Sequence, residues 1–417
     1  EADSARVAAM LMEAGYRATE NESTADIVIL NSCVVRQAAE DKVSGRLNAL
    51  MREKRNRPEM SLVLTGCMVT NQQEALAQRF PHVDLFFDPS DFETFKAFVP
   101  ELAELEDDLE ALPHYYVDAS TDARVSAYVP IIYGCNFVCS YCIVPYRRGK
   151  ERSRPMDEIV AEVQGLVARG VRDITLLGQT VNAWGHDLGG GQQLSDLLKA
   201  VDSVSGLDRL RFLTSHPKYM GDDILQAMAD LPSACEHLNL PVQAGNNDVL
   251  KRMRRTYTVD LWMDRISRAR ELMPGVTVAT DIIVGFPGET DEQFADTLQV
   301  LAESALDKVH VAMYSPRPGT LSARWEDDIP AHVKHERHRA VEDQQHTISE
   351  RLNRARLGST VEVLFDSFNK GRWGGRTRGN TLVHVEDSRP LLGKIADIQI
   401  TETSPWYVIG KVAGHPR

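Results

Sequence analysis

The chain has 417 residues, 43 % hydrophobic and 26 % charged, with 47 basic against 60 acidic side chains and a net charge of −13. That length calls for two or three domains, no apolar run approaches the roughly 18 residues of a membrane-spanning helix, and an acidic body restricts any RNA site to a local basic patch. Six cysteines in a chain this size fit a reducing cytoplasm and metal binding better than a disulfide framework.

Residues 1–104 alternate helix and strand. Asp3 and Ser4 are placed to cap a helix whose apolar residues Val7, Met10, Leu11 and Ala14 recur at helical spacing, with Gly15 closing it. Three buried-strand runs follow, at Ile27–Leu30, Leu62–Leu64 and Val83–Phe87, and predict a small parallel α/β sheet. The acidic stretch from Glu101 to Leu112, ended by Pro113, reads as a solvated linker.

Six strand-then-helix units occupy Val125 to Ser315. Their strands are expected at Tyr128–Tyr133, Ile174–Leu177, Leu210–Leu213, His237–Leu240, Val276–Val284 and Val309–Tyr314. Six such units make an incomplete (β/α)6 barrel, and barrels place their chemistry at the C-terminal ends of the strands. A polar helix is expected over Ala331–Arg356; its histidines His332, His335, His338 and His346 lack a thiolate or carboxylate partner pattern and read as solvated. From residue 355 to 417 the pattern changes to alternation (Val361, Val363, Phe365; Ile398, Ile400) with a glycine-rich turn, which predicts a small antiparallel β-barrel. The fold class is thus α/β with a terminal β-barrel, in segments 1–104, 121–354 and 355–417.

Cys135, Cys139 and Cys142, in the string CNFVCSYC, follow the first barrel strand directly. Three thiolates at this spacing can hold three irons of a four-iron cluster and leave the fourth open, whereas electron-storing clusters use four cysteines. A zinc site with a distant fourth ligand is the other reading of the same residues. Cys33 and Cys67 each follow a buried parallel strand (DIVILNSC and SLVLTGC) and should emerge on one edge of the N-terminal sheet. As a pair they look like ligands of a second cluster, although a lone buried cysteine is often structural. Cys235 stands alone before a strand and reads as an inert core thiol.

The CNFVCSYC string resembles the radical S-adenosylmethionine superfamily, and the whole chain resembles its methylthiotransferases. That resemblance implies two 4Fe–4S clusters, one on Cys135, Cys139 and Cys142 and an auxiliary one that includes Cys33 and Cys67. It further implies S-adenosylmethionine bound by the polar strand-end residues Gln179, Asn182, Ser215, Gln243 and Gly285, with Tyr141 and Phe286 suited to its adenine. In the family the first domain opens on a strand that carries a third cysteine, and the sequence, beginning at Glu1, starts inside that pattern. The resemblance therefore predicts a strand and a cysteine upstream, without which the auxiliary cluster loads poorly. The terminal barrel resembles a TRAM domain, an RNA-holding module, with Trp373, Arg376 and Arg378 as contacts. Arg147, Arg148 and Arg154, beside the cysteine loop, form the densest basic stretch and are further RNA candidates. Lys251, Arg252, Arg254 and Arg255 form a second basic patch.

Three branches share this architecture, acting on isopentenyladenosine (MiaB-type), on threonylcarbamoyladenosine (MtaB-type) or on a ribosomal-protein aspartate (RimO-type). The strings GQTVNAWG, SHP, LPVQAGN and GRTRGNTLV resemble the first, while Asn239 and Ala244 stand where that family often has histidine and serine. In the implied reaction one S-adenosylmethionine methylates a sulfur of the auxiliary cluster, and a second yields the radical that removes hydrogen from C2 of the adenine. The implied partners are a tRNA anticodon loop and an electron donor such as flavodoxin or ferredoxin, for a monomeric cytoplasmic enzyme. An iron–sulfur electron carrier is the alternative from another class; it predicts fully ligated clusters.

Overall fold

The computed structural model describes residues 2–32, 37–70, 72–88, 91–103 and 125–417. Helix α1 (Ala2–Glu13) begins ahead of its expected caps, so Asp3 lies in its first turn, where a carboxylate complements the positive helix end. Val7 and Met10 are buried beneath it, and Gly15, at φ +89°, follows it in the left-handed conformation. Next come β1 (Ile27–Ser32), α2 (Gln37–Asn56), β2 (Ser61–Gly66), α3 (Gln73–Arg79), β3 (Leu85–Phe87), α4 (Phe92–Phe98) and α5 (Pro100–Ala103). The three strands are parallel in the order β1-β2-β3. Alternation along the central β2 feeds two layers: Leu62 and Leu64 pack with Leu47, Leu50 and Phe80, while Val63 packs with Phe87, Phe95 and Met10. Most of the acidic stretch expected as a linker falls outside the described residues.

The central part runs β4 (Ser126–Pro130), β5 (Ile132–Tyr133), α6 (Val144–Arg148), β6 (Arg152–Ser153), α7 (Met156–Ala168), β7 (Asp173–Leu177), α8 (Leu194–Asp202), β8 (Arg209–Phe212) and α9 (Asp222–Asp230). It continues with β9 (His237–Asn239), α10 (Asn247–Arg252), α11 (Val259–Leu272), β10 (Thr277–Val284), α12 (Asp291–Ser304), β11 (Lys308–Met313) and α13 (Ala331–Arg354). All six expected barrel strands form, parallel within β4-β7-β8 and β9-β10-β11. The two sets meet where Leu210 bridges Ala234.

The first expected strand differs in one respect: β4 ends at Pro130, after which Ile131 N still donates to Leu177 O of β7 at 2.9 Å. Ile132 and Tyr133 then pair antiparallel with Ser153 and Arg152, and this two-residue ribbon is the base from which the cysteine loop projects. On α7, Ile159, Val163 and Leu166 face the core as the 3.6-residue spacing requires. On α13, His332, His335 and His346 are exposed, and His338 lies 3.1 Å from Glu342.

The last part is a closed barrel of β12 (Thr360–Asn369), β13 (Arg372–Thr377), β14 (Leu382–Val385), β15 (Ile395–Thr403) and β16 (Val408–Val412), ordered β12-β13-β14-β16-β15. Val363, Phe365, Val383, Val385, Ile398 and Ile400 fill it. It departs from the expected antiparallel pattern at closure, where β14 and β16 run parallel. The turn after β13 seats on the N-terminal ends of the large-barrel strands: Arg211 donates to Thr377 O at 2.9 Å, and Thr277 Oγ1 to Gly379 O at 2.7 Å. Among the described residues no helix is long and apolar enough to cross a membrane.

Candidate active site

The cysteine loop is fixed before any ligand is considered. Gly134 has φ +71°, and a Cβ there would collide with the Lys150 backbone, so only glycine fits. Cys135 N donates to Gly149 O and Cys142 N to Cys139 O, each at 3.1 Å. Glu151 accepts from Asn136 N and Nδ2 at 3.1 and 2.9 Å, which closes the loop neck. Cys139 is buried and Cys135 and Cys142 are half-buried. Burial pushes the Cys142 thiol up to about 12 and raises that of Cys135, and each thiol also feels the charge of its neighbours. Such thiols ionise only if positive charge is supplied, as iron does. The loop that carries the three thiols of Cys135, Cys139 and Cys142 therefore fits a four-iron cluster.

Around this loop the structure gathers the strand-end residues expected from sequence. Gln179 follows β7 and is half-buried, next to Thr180, whose Oγ1 is 3.6 Å from Cys135 Sγ. Asn182 braces the segment after β8: its amide donates to His216 O at 2.9 Å and accepts from His216 N at 2.8 Å. Ser215 Oγ and His216 Nε2 are buried and have no hydrogen-bond partner among the described residues. Lys218 N donates to His216 Nδ1 at 3.3 Å, which leaves the proton on Nε2 and makes that atom an unengaged donor. Burial first, then Arg255 and Lys218, push the imidazole down to about 2, so it is neutral. Its ring stacks on Phe137 of the cysteine loop at 3.8 Å between centroids.

Gln243 follows β9 in the left-handed conformation, φ +73°, and bonds through its backbone to Asp281 and Ile283 at 2.9 Å each. Gly285, at φ +67°, donates to Glu289 Oε2 at 2.7 Å, and Glu289 is paired with Arg337 at 2.8 Å. Phe286 is fully buried and touches Tyr141 edge-on at 6.3 Å, with Tyr314 and Trp325 on its other sides. Of the two aromatics assigned to adenine, only Tyr141 thus keeps partial exposure. A polar cavity of about 800 Å³ lies between the two barrels, lined by Thr175, Arg211, His237 and Asp281 of the large one and by Arg376 and Trp406 of the small one among others.

The N-terminal sheet meets this site through Cys67. Cys33 lies outside the described residues. Cys67 follows Gly66, whose φ of +98° and missing Cβ let the Ser32 backbone approach, and its N–H donates to Ser32 O at 3.1 Å. It packs in one apolar cluster with Ile143, the residue after Cys142. Arg148 Nε donates to Cys67 Sγ at 3.1 Å, Arg147 bonds Thr70 O, and Arg317 pairs with Glu40. Two arginines read as RNA contacts are therefore turned toward the N-terminal sheet. Arg154 is held by Glu162 and Pro130 O at 2.7 Å each. Arg378 grips Glu236 through Nε and Nη2 at 2.9 and 3.0 Å and ties the two barrels together. Trp373 donates to Asp387 O at 3.0 Å and stays half-buried, whereas Arg376 is exposed. Of the second basic patch, Lys251 and Arg254 are exposed; Arg252 donates to Gln293 Oε1 and Arg255 to Cys139 Sγ. Sequence pattern could not separate these last two, because side-chain direction at α10's end depends on Arg254 adopting φ +56°. Cys235 is buried, and burial raises its thiol, as an inert core cysteine requires.

Three family descriptions match the chain: the Radical SAM superfamily over residues 129–301, Uncharacterized protein family UPF0004 over residues 1–88, and the TRAM domain over residues 354–413. The tRNA-2-methylthio-N(6)-dimethylallyladenosine synthase of Chloroflexus aurantiacus is 47 % identical, covering 98 % of this chain and 88 % of that protein. The proteins of the same name from Herpetosiphon aurantiacus and Dehalococcoides mccartyi are 44 % and 40 % identical, each covering 99 % of this chain and 94 % and 95 % of their own. The radical S-adenosylmethionine methyltransferase TsrM from Kitasatospora setae shares the fold at a TM-score of 0.56 and 15 % identity, over 75 % of this chain and 67 % of that one. A cysteine loop at the mouth of a six-stranded barrel, a parallel sheet facing it and relatives matched over nearly the whole length agree: the chain belongs to the tRNA-2-methylthio-N(6)-dimethylallyladenosine synthase family of radical S-adenosylmethionine enzymes.

Proposed function

We propose that this enzyme adds a methylthio group to C2 of N6-isopentenyladenosine beside the anticodon of tRNA. The observation that supports the reading is the placement of Cys67 of the N-terminal sheet: it shares one apolar cluster with Ile143, one residue from Cys142, and accepts from Arg148 Nε of α6, the helix that follows the cysteine loop, at 3.1 Å. A methylthio donor and a hydrogen-abstracting centre must reach the same carbon, and this proximity of Cys67 to the cysteine loop supports that reading. When bound, the 4Fe–4S cluster and S-adenosylmethionine supply the radical that opens an otherwise unreactive C–H bond.

The chain's own residues supply the surroundings. Cys135, Cys139 and Cys142 hold the cluster; Cys33 and Cys67 contribute to a second one. Ser215 Oγ and the His216 Nε2–H offer polar contacts to S-adenosylmethionine, Gly285 allows close backbone approach, and Gln179, Gln243 and Tyr141 complete the rim. Asn182 and Phe286 support that rim from behind. The terminal barrel, with exposed Arg376 and the paired rings of Phe368 and Trp373 at 4.6 Å, holds RNA. The target base must be presented unstacked, which an anticodon loop allows at low cost. A one-electron carrier such as flavodoxin or ferredoxin supplies the reductant.

The test is mass spectrometry of tRNA nucleosides from a host stripped of its own methylthiotransferases and expressing this protein. Appearance of 2-methylthio-N6-isopentenyladenosine is expected. The threonylcarbamoyl derivative in its place would refute the substrate while leaving the reaction, and unmodified tRNA with both clusters loaded would refute the tRNA assignment.

A further inference from the structure

Segment 252–255 lies against the cysteine loop at three points. Ser140 N donates to Met253 O at 3.1 Å, Ser140 Oγ donates to Arg252 O at 2.9 Å, and Arg255 Nη1 donates to Cys139 Sγ at 3.3 Å. Arg254, with φ +56°, reverses the chain after α10 and turns its successor inward. Arg255 is then held from its other side: Nε donates to the Tyr257 hydroxyl at 2.9 Å, and that hydroxyl reaches Val242 O at 2.7 Å. The guanidinium carbon sits 5.0 Å from the Tyr257 ring centroid.

Among the described residues no carboxylate forms a salt bridge with Arg255; the acidic groups facing it are the Cys139 thiol and the phenols of Tyr141 and Tyr257. Arg255 is half-buried, and a cation partly withdrawn from water is stabilised by a nearby anion. Three thiolates around an oxidised four-iron core leave a net negative charge, which grows when the core takes up one electron. A cluster bound by Cys135, Cys139 and Cys142 would supply that anion, and the cation would favour its reduced form.

We propose that Arg255 is a positioning residue for the cluster on Cys135, Cys139 and Cys142: a tethered counter-cation that fixes Cys139 and raises the cluster's reduction potential. This rests on the assignment of that cluster to those cysteines. The step concerned is uptake of one electron from an external one-electron reductant, with no bond made or broken in the protein.

The test is a redox titration followed by electron paramagnetic resonance on the full chain, reconstituted with iron and sulfide. It is made in a Cys67→Ala background so that the auxiliary site lacks a ligand. Arg255→Gln should keep its iron and shift the reduction equilibrium at least tenfold toward the oxidised form, about 59 mV downward for a one-electron couple. Arg255→Lys, which keeps the charge, should recover most of that shift. Full iron content with an unchanged midpoint and line shape in Arg255→Gln overturns the proposal. Should Arg255→Gln lose the cluster altogether, Tyr257→Phe decides: it keeps the charge and frees the tether, so a displaced midpoint or line shape supports the role and wild-type values overturn it. A signal that survives replacement of Cys135, Cys139 and Cys142 together would instead refute the cluster assignment itself.

Discussion

Gly285→Ala separates two costs that are usually entangled. Gly285 sits at φ +67°, and an added Cβ would fall well inside contact distance of Lys334 Cγ, with Lys334 Cδ at 3.1 Å and Cβ at 3.3 Å. Holding an L-residue in the left-handed region costs about 1–2 kcal/mol, and overpacking a filled site costs about 1–3 kcal/mol. Lys334 has little freedom to move aside, because it is buried, its ammonium is held by both carboxylate oxygens of Asp327, and it lies 5.2 Å from the Tyr314 ring centroid. The single change should therefore destabilise the 285–289 turn by about 2–5 kcal/mol. Truncating the clash partner as well should return only the steric share, about 1–3 kcal/mol. Hydrogen exchange of the amides from Ile283 to Glu289 reads this locally, which suits a chain of several parts better than a global melt. A cycle of Gly285→Ala, Lys334→Ala and the double variant gives the coupling energy. Strict additivity would refute the argument, since the whole cost would then be backbone strain.

Three further outcomes follow from the same geometry. Arg378→Ala removes a two-pronged, half-exposed contact to Glu236 plus donors to Pro232 O and Ala234 O; about 1.5–3 kcal/mol of inter-barrel docking should be lost, visible as faster proteolysis or exchange in residues 355–417, and unchanged protection would sink the staple. His216 and His237 are pushed by burial down to about 2 and about 3, so the unfolded chain binds more protons than the folded one below the ordinary histidine range. Stability should therefore fall as pH drops from about 6.5 toward 3, by up to about 1.4 kcal/mol per pH unit for each ring. His237→Asn should flatten that slope in urea unfolding measured between pH 7 and 5, and an unaltered slope contradicts the assignment. Cys235→Ala should leave iron content untouched and cost on the order of 1 kcal/mol for lost packing, whereas a drop in iron would make Cys235 a ligand.

The cysteine spacing, the six β/α units and the alternation of the terminal barrel were legible because each is a local, periodic property: loop length, a 3.6-residue stripe, a two-residue alternation. The strand-end residues Gln179, Ser215, Gln243 and Gly285 were legible for a related reason, since a barrel delivers all its strand ends to one mouth. Partner choice by long charged side chains was not. Arg147, Arg148, Arg154 and Arg378 share one composition-level signature with an RNA-binding patch, yet Arg154 pairs with Glu162 of the next helix and the other three reach a carbonyl, a thiol or a carboxylate supplied by segments far away in sequence.

By itself the sequence determined which residues can do chemistry and on which kind of element each sits, because strands, loops and turn glycines are written in short-range pattern. Only the tertiary structure decided that Cys67 lies beside the cysteine loop, that His216 Nε2 has no hydrogen-bond partner among the described residues and that Arg255 points at Cys139. Those facts depend on which distant segments pack together and on single backbone angles such as Arg254 at φ +56°. No periodicity encodes them, because they arise from the one packing that satisfies buried donors and charges across the whole chain.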